Sequence, residues 1–182
     1  MNEGTTQGLL VDGILCKLLQ RGSQKILKIL LESSEALTYS QIKAKYDQNW
    51  KSILRYLDYL AKAGLVERIP DGGTIRYQIM QNKRVEVIMD LYRSFEALGA
   101  GVPPRSLNRI FLTVDAKDHL TITEMRQELR RKNKNPKNLD KHVNEMVNLS
   151  LLTGEGNSYS IDWTNEHSTR IKECNLAFAS AL

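Results

Sequence analysis

The residues best suited to chemistry in this sequence lie in one short stretch, residues 49–63, with the sequence NWKSILRYLDYLAKA. At about 100° per residue, a helix here places cations and hydrogen-bonding groups on one side. These residues are Lys51, Ser52, Arg55, Tyr59 and Lys62. Arginine can bind a guanine edge through two hydrogen bonds, and lysine or serine can hold a phosphate oxygen. The pattern therefore favours binding of a polyanion.

The other side of the same helix is apolar, and we expect it to be buried. Its members are Trp50, Ile53, Leu54, Leu57, Leu60 and Ala61. We assign Trp50 to the core or to packing at the start of the helix. A solvated helix usually mixes glutamate with lysine as i,i+4 partners, but Asp58 is the only acid among the cations here. An ordinary mixed, solvated face is the alternative interpretation.

Catalytic and metal-binding patterns are not found in the sequence. His119, His142 and His167 are scattered, and there is no HExxH, P-loop or GxGxxG motif. Cys16 and Cys174 stand at opposite ends of the sequence, which excludes a CxxC pair and suits a reducing compartment. We therefore expect no enzymatic activity, no metal and no cofactor, and we interpret each histidine as a surface or capping residue.

The bulk composition is that of an ordinary globular protein. The sequence is 41% hydrophobic and 26% charged. Its length of 182 residues is enough for one large domain or two small ones. The apolar run near the start is broken by Asp12 and Lys17 and is too short to span a bilayer. We expect a cytoplasmic, nucleoid-associated protein without membrane contact.

A net charge of +5 is only mildly basic, so the position of the charge matters more than its sum. Residues 126–141 contain seven cations and two acids. The cations are Arg126, Arg130, Arg131, Lys132, Lys134, Lys137 and Lys141. Such clustering is the electrostatic pattern expected for a polyanion partner. A solvated helix end followed by a turn is the alternative.

Helical periodicity and capping residues predict the elements of the first half. Helices are expected over residues 9–20, from Ser23 as a cap, and from Thr38, where Gln41 completes a capping box. A fourth helix begins near Asn49 or Trp50. Two strand-like runs then flank the four residues 70–73, Pro-Asp-Gly-Gly, which predict a β-hairpin loop.

The second half repeats this order after a long helix at about residues 83–98 and a glycine- and proline-rich boundary at residues 99–104. The segment LTYSQI at residues 37–42 matches LTITEM at residues 120–125, where Thr121 or Thr123 is the expected cap. We predict a mainly α protein with small β-hairpins. Its segments are an N-terminal helix (1–22), a first domain (23–82), a long helix and linker (83–104) and a second domain (105–182).

A unit of helix, helix, turn, helix and β-hairpin resembles the winged helix-turn-helix domain. The segments ALTYSQIKAKY, NWKSILRYLDYLAKAGLVERI and GGTIRYQI are similar to ArsR/MarR-type regulators of bacteria and archaea, whereas residues 105–162 match more loosely. The resemblance implies tandem winged helices and a third helix that reads DNA with Lys51, Ser52, Arg55 and Tyr59. The metal-sensing cysteine motif of ArsR proteins is missing from residues 50–60.

Other cations extend this expected DNA surface. In the first domain they are Lys43 and Lys45 on the preceding helix and Arg68 and Arg76 on the wing. In the second domain they are Arg130, Arg131, Lys132, Lys134, Lys137 and Lys141. The third helix of the second domain is basic only at its start, so this domain is expected to hold the DNA backbone or, alternatively, to bind protein.

Double-stranded DNA and a second copy of the chain are the expected partners. ArsR-type proteins dimerise through their terminal helices, and the long helix at residues 83–98 is apolar over more than half its circumference. A rigid spine between domains is the alternative use of that helix. Tandem winged helices also occur in protein-binding scaffolds such as ESCRT-II subunits, chromosome-segregation partners and general transcription factors. A replication initiator is a further DNA-binding alternative.

Overall fold

The computed structural model describes residues 14–99, 104–131 and 137–179. The helix expected at residues 9–20 can be compared only in part. Residues 14–18 are helical, and residues 9–13 lie outside the described ranges. The basic turn at residues 132–136 also lies outside them. Within the described ranges, no helix is long and apolar enough to cross a membrane.

Two compact units divide the chain between Met89 and Asp90, and the residues from Cys174 onward belong to the first unit. The first unit contains α1 (Arg21–Leu31), β1 (Leu37–Thr38), α2 (Tyr39–Lys45), α3 (Trp50–Lys62), β2 (Val66–Asp71) and β3 (Thr74–Ile79). The dividing point falls within α4 (Lys83–Leu98). The elements that follow are α5 (Pro104–Asp115), β4 (Leu120–Thr121), α6 (Ile122–Arg131), α7 (Leu139–Asn148), β5 (Leu152–Glu155), β6 (Ser158–Ile161) and α8 (Glu166–Ala179).

The described chain is thus mainly helical with two small antiparallel sheets, and both sheets have the same topology. Their strand orders are β1-β3-β2 and β4-β6-β5. Leu37 lies opposite Tyr77 in the first sheet, and Leu120 lies opposite Tyr159 in the second. The strands β1 and β4 were not predicted, because two residues are too few to show the alternation that marks a strand.

The predicted cap Thr38 is confirmed, and of the two candidates Thr121 and Thr123 it is Thr121 that caps the second helix. Thr38 accepts a hydrogen bond from the backbone N–H of Gln41 at 3.3 Å, and the Gln41 side chain accepts from the N–H of Thr38 at 2.7 Å. Thr121 and Glu124 make the same reciprocal pair at 3.2 and 2.8 Å. Each box satisfies donors that the first turn of a helix would otherwise leave unpaired.

The prediction that Ser23 caps a helix is wrong. Helix α1 begins at Arg21, and Ser23 is fully buried within it, where its hydroxyl donates to the carbonyl of Lys17 at 2.8 Å. Helices α1 and α3 lie close together at Gly22. A Cβ atom at Gly22 would overlap the ring of Tyr56, so any larger residue here requires that ring to move.

The first hairpin has a tighter loop than the four residues predicted. Pro70 and Asp71 belong to β2, and only Gly72 and Gly73 remain in the turn, with φ angles of 51° and 87°. A two-residue turn with positive φ at both positions matches the twist of the flanking strands, and glycine adopts it without strain. Proline is tolerated in β2 because β2 is an edge strand of its sheet.

An asparagine links the third helix of each unit to the helix that follows the hairpin. Asn82 donates to the carbonyl of Gly64 at 2.8 Å and accepts from the N–H of Val85 at 3.1 Å. Asn165 donates to the carbonyl of Leu149 at 3.1 Å and accepts from the N–H of His167 at 2.8 Å. These bonds set the position of α3 and α7 relative to the next helix within each unit.

Candidate nucleic-acid interface

Helix α3 is fixed at its start and along one side. Asn49 accepts a hydrogen bond from the backbone N–H of Lys51 at 2.8 Å, which confirms the predicted start of the helix. Ile53, Leu57 and Leu60 are fully buried. Because these three side chains anchor one side, the opposite side of α3 must face outward.

Lys51 and Arg55 are exposed on this outward side. Within the described chain, neither has a carboxylate partner. The Lys51 ammonium lies 5.6 Å from the centre of the Trp50 ring, and the Arg55 guanidinium lies 5.2 Å from that of Tyr56. Cation–π contacts at exposed sites are weak, so both charges remain available to an anion.

The expectation that Trp50 and Leu54 are buried is wrong. Trp50 is 55% exposed and Leu54 is 37% exposed. Ile53 is the first buried position of α3, so Trp50 lies about one turn beyond the end of the core. Leu54 lies on the border between the buried and exposed sides. Their exposure was missed because periodicity gives the direction of a side chain but not the extent of the core beneath it.

Ser52 and Tyr59, the other two predicted contacts on α3, are half-buried at the edge of the exposed side. The ammonium of Lys17 lies 4.9 Å from the centre of the Tyr59 ring. Contact of Tyr59 with a partner would therefore involve Lys17 as well, a cation that the sequence did not associate with this surface.

Asp58 neutralises the C-terminal part of the exposed side. It pairs with Lys62 at 2.9 Å and accepts a hydrogen bond from Arg68 of β2 at 3.0 Å. The hydrogen bond from Lys62, followed by that from Arg68, lowers the pKa of Asp58, and partial desolvation opposes them. The carboxyl group is therefore ionised at neutral pH, and it joins the helix to the hairpin.

The second hairpin arginine is also paired. Arg76 donates to the carboxylate of Asp71 and, at 3.2 Å, to the carbonyl of Ala36. Both predicted hairpin contacts, Arg68 and Arg76, thus already bind acids of the same unit. Lys43 and Lys45 on α2 are exposed and have no ion-pair partner among the described residues.

In the second unit, part of the predicted basic run is already paired with acids. Arg131 pairs with Glu128 at 2.9 Å, and Arg126 pairs with Asp140 at 2.6 Å. Of the cations in the basic run, Arg130, Lys137 and Lys141 are exposed and have no ion-pair partner in the described ranges. Lys132 and Lys134, which were also predicted to contact DNA, lie outside the described residues.

Among the described residues, little supports a metal site or a reactive thiol. No group of three or more histidine, cysteine, aspartate or glutamate side chains there could hold a metal ion. Cys174 is buried, and desolvation raises the pKa of its thiol far above the usual value. A thiol held protonated in this way is a poor nucleophile.

Comparison with known proteins gives no family. No protein-family model matches the chain, and no curated protein matches it. Among solved structures, a hypothetical protein from Pyrobaculum spherical virus is similar at 11% identity with a TM-score of 0.30. The alignment covers 83% of this chain and 98% of the viral chain. A similarity of this size supports no inference about fold or function.

Proposed function

We propose that the protein binds double-stranded DNA as a transcriptional regulator, with the exposed side of α3 in the major groove. The observation that carries this proposal is the pair of exposed cations Lys51 and Arg55, which have no carboxylate partner among the described residues. They lie on a helix whose other side is anchored by fully buried residues. An α-helix fits the major groove, where phosphates and guanine edges are the natural partners of such cations.

We further propose that the two units are tandem winged helix-turn-helix domains. The proposal is supported by the recurrence of helix, short strand, helix, helix and hairpin in both units. The common strand order, with the third strand in the centre, supports it as well. In this interpretation the β2–β3 hairpin is the wing, and Lys43, Lys45, Arg68 and Arg76 lie near the DNA backbone.

Fluorescence anisotropy over a salt series tests DNA binding. Duplexes are first selected from a random-sequence pool on the full chain, and the most frequent one is labelled. The logarithm of the association constant should fall linearly with the logarithm of salt concentration, by about 0.9 for each phosphate contact. The proposal fails if no duplex is enriched, or if the affinity does not respond to salt. A reporter gene behind the selected duplex then separates a regulator from a replication initiator.

Protein binding by the second unit is a second candidate function. It is favoured by the Arg126–Asp140 and Arg131–Glu128 pairs, which neutralise part of the basic run. Replacing both Lys137 and Lys141 with glutamate in the full chain separates the two functions. A loss of DNA affinity assigns the second unit to DNA, whereas unchanged affinity favours a scaffold role.

A homodimer remains part of the proposal, but one argument for it is weakened. The apolar positions of α4 suggested that a second copy covers them. In the single chain, most of these side chains are buried: Val85, Val87, Ile88, Leu91, Tyr92 and Phe95. The dimer therefore rests on the resemblance to ArsR-type regulators.

A further inference from the structure

Two exposed apolar side chains stand among the free cations of α3. Trp50 and Leu54 are 55% and 37% exposed, and they are one helical turn apart. A single exposed apolar residue is common on protein surfaces and needs no explanation. Here the apolar pair alternates along the helix with Lys51 and Arg55, so two apolar and two cationic groups share one surface.

The geometry of the helix places these four residues together. At about 100° per residue, Trp50, Leu54, Lys51 and Arg55 span an arc of about 140°, which runs from the border of the buried side at Trp50 to the side opposite Ile53 at Arg55. Asn49 fixes where the helix begins, so the arc includes its first two turns. Any partner that engages Lys51 and Arg55 together therefore comes within reach of Leu54.

The chemistry of this surface fits one feature of the major groove. The groove offers phosphates and guanine edges to cations, and its one apolar base-edge group is the C5-methyl of thymine. We propose that Leu54, with Trp50 beside it, contacts thymine methyl groups in the major groove and gives the protein a preference for thymine there. This inference rests on the proposed DNA binding by α3.

A protein partner would use the same surface less well. An interface that covered Leu54 and Trp50 would also desolvate Lys51 and Arg55, and it would have to supply acids for both. Duplex DNA supplies phosphates along both edges of the groove without any special sequence. The charge of the surface therefore favours DNA over a protein.

Uracil provides the test, because it differs from thymine only by the missing methyl group. The selected duplex is synthesised with thymine and with uracil at every thymine position, and both are titrated with the full chain. Removal of each methyl buried against Leu54 should weaken binding about fourfold. In Leu54→Ala, the difference between the two duplexes should shrink by about the same factor for each methyl that Leu54 contacts.

Leu31→Ala is the matched control, since Leu31 is an exposed leucine on α1 with 38% of its surface accessible. This variant should keep the full preference for thymine. If the wild type binds both duplexes equally and with normal salt dependence, the methyl contact is overturned while DNA binding stands. If it binds neither duplex, the proposed function itself is overturned and this inference with it. A preference for thymine that is undiminished in Leu54→Ala assigns the effect to DNA shape and also overturns the contact by Leu54.

Discussion

At the residue scale, the free charges of Lys51 and Arg55 determine the expected affinity. We predict that Lys51→Ala combined with Arg55→Ala weakens binding to the selected duplex by roughly tenfold or more. Each phosphate contact that forms releases about 0.9 counterions. Loss of such contacts should therefore make the salt dependence of the association constant less steep as well. Fluorescence anisotropy at several salt concentrations measures both quantities.

Lys83→Ala is a suitable control for that double variant. Lys83 is exposed on α4, where it pairs with Glu86 at 3.3 Å, and it is not part of the α3 surface. Its removal should leave the affinity nearly unchanged. Equal affinities for the wild type and the double variant, with both folded by circular dichroism, would rule out α3 as the DNA-contacting helix.

Asp58 should act in the opposite direction. Its pKa is lowered, so it is charged at neutral pH, and it sits next to the proposed DNA surface. Asp58→Asn removes this negative charge and releases Lys62 and Arg68 to bind phosphate. We predict several-fold tighter DNA binding and a steeper salt dependence, with little loss of stability because exposed ion pairs contribute little.

Asp90→Asn provides the comparison, because Asp90 forms a similar exposed pair with Arg93 at 2.7 Å, on α4. If both substitutions strengthened DNA binding equally, the effect would reflect net charge alone. The interpretation that Asp58 locally lowers the DNA affinity of the α3 surface would then be wrong.

The sequence predicted the cations of α3 but not the network around them. The exposure of Lys51 and Arg55 follows from helical periodicity, which is a local property. The bond between Arg68 and Asp58 depends on how the hairpin folds over the helix, and no local pattern encodes that. The exposure of Trp50 likewise depends on where the core ends, which is set by neighbouring elements.

At the element scale, the crossing of α1 and α3 depends on the missing side chain at Gly22. We predict that Gly22→Ala destabilises the fold, because overpacking typically costs about 1–3 kcal/mol and exceeds the roughly 1 kcal/mol that alanine adds to helix propensity. Urea unfolding followed by circular dichroism measures the change.

The Tyr56→Ala background tests the stated cause of that effect. With the Tyr56 ring removed, the added methyl group at position 22 meets no ring atom, and the same substitution should become neutral or stabilising. A similar loss of stability in both backgrounds would show that the Tyr56 contact is not its source.

The two capping boxes predict different responses to acid. Gln41 does not titrate, whereas hydrogen bonds from the backbone and side chain of Thr121 lower the pKa of Glu124. A lowered folded-state pKa means that the stabilisation is present above the unfolded-state pKa. It is lost as the pH falls through the folded-state pKa. We therefore predict that acid weakens the cap of α6, which contains Glu124. The cap of α2, which contains Gln41, should not respond to acid.

Exchange of the two residues checks this prediction. Melting temperatures between neutral and acidic pH are compared for the wild type, Glu124→Gln and Gln41→Glu. The first variant should reduce the acid sensitivity of the protein, and the second should increase it. Identical pH profiles for all three proteins would show that the boxes do not contribute to acid stability.

The capping box at Thr38 could be predicted because it is written in four consecutive residues, whereas for the second helix the sequence left Thr121 and Thr123 open as caps. The hairpin loop was less predictable. Pro-Asp-Gly-Gly contains turn residues at every position, and only the pairing of Asp71 with Thr74 shows where the strands end. The short strand β1 has no signal of its own and exists because β3 offers it a partner.

At the scale of the whole molecule, the proposed dimer has a measurable consequence. Light scattering of the full chain should give twice the mass of the 20.8 kDa monomer. The selected duplex should contain two related half-sites about one helical turn, or ~34 Å, apart. A monomeric mass with a single half-site would reject the dimer without affecting the contact of α3 with DNA.

The open edge of the first sheet has a consequence for self-association. The N–H of Met80 donates to the carbonyl of Leu65 at 2.9 Å, and hydrogen-bonded pairs alternate along the hairpin from there. The nitrogen of Pro70, opposite Ile75, therefore points to the open side of β2, where it has no hydrogen to donate. A strand from another molecule finds no hydrogen-bond donor at this position. Ile75 is an exposed apolar residue beside that edge, so we expect Pro70 to hinder aggregation through this hairpin in concentrated solution.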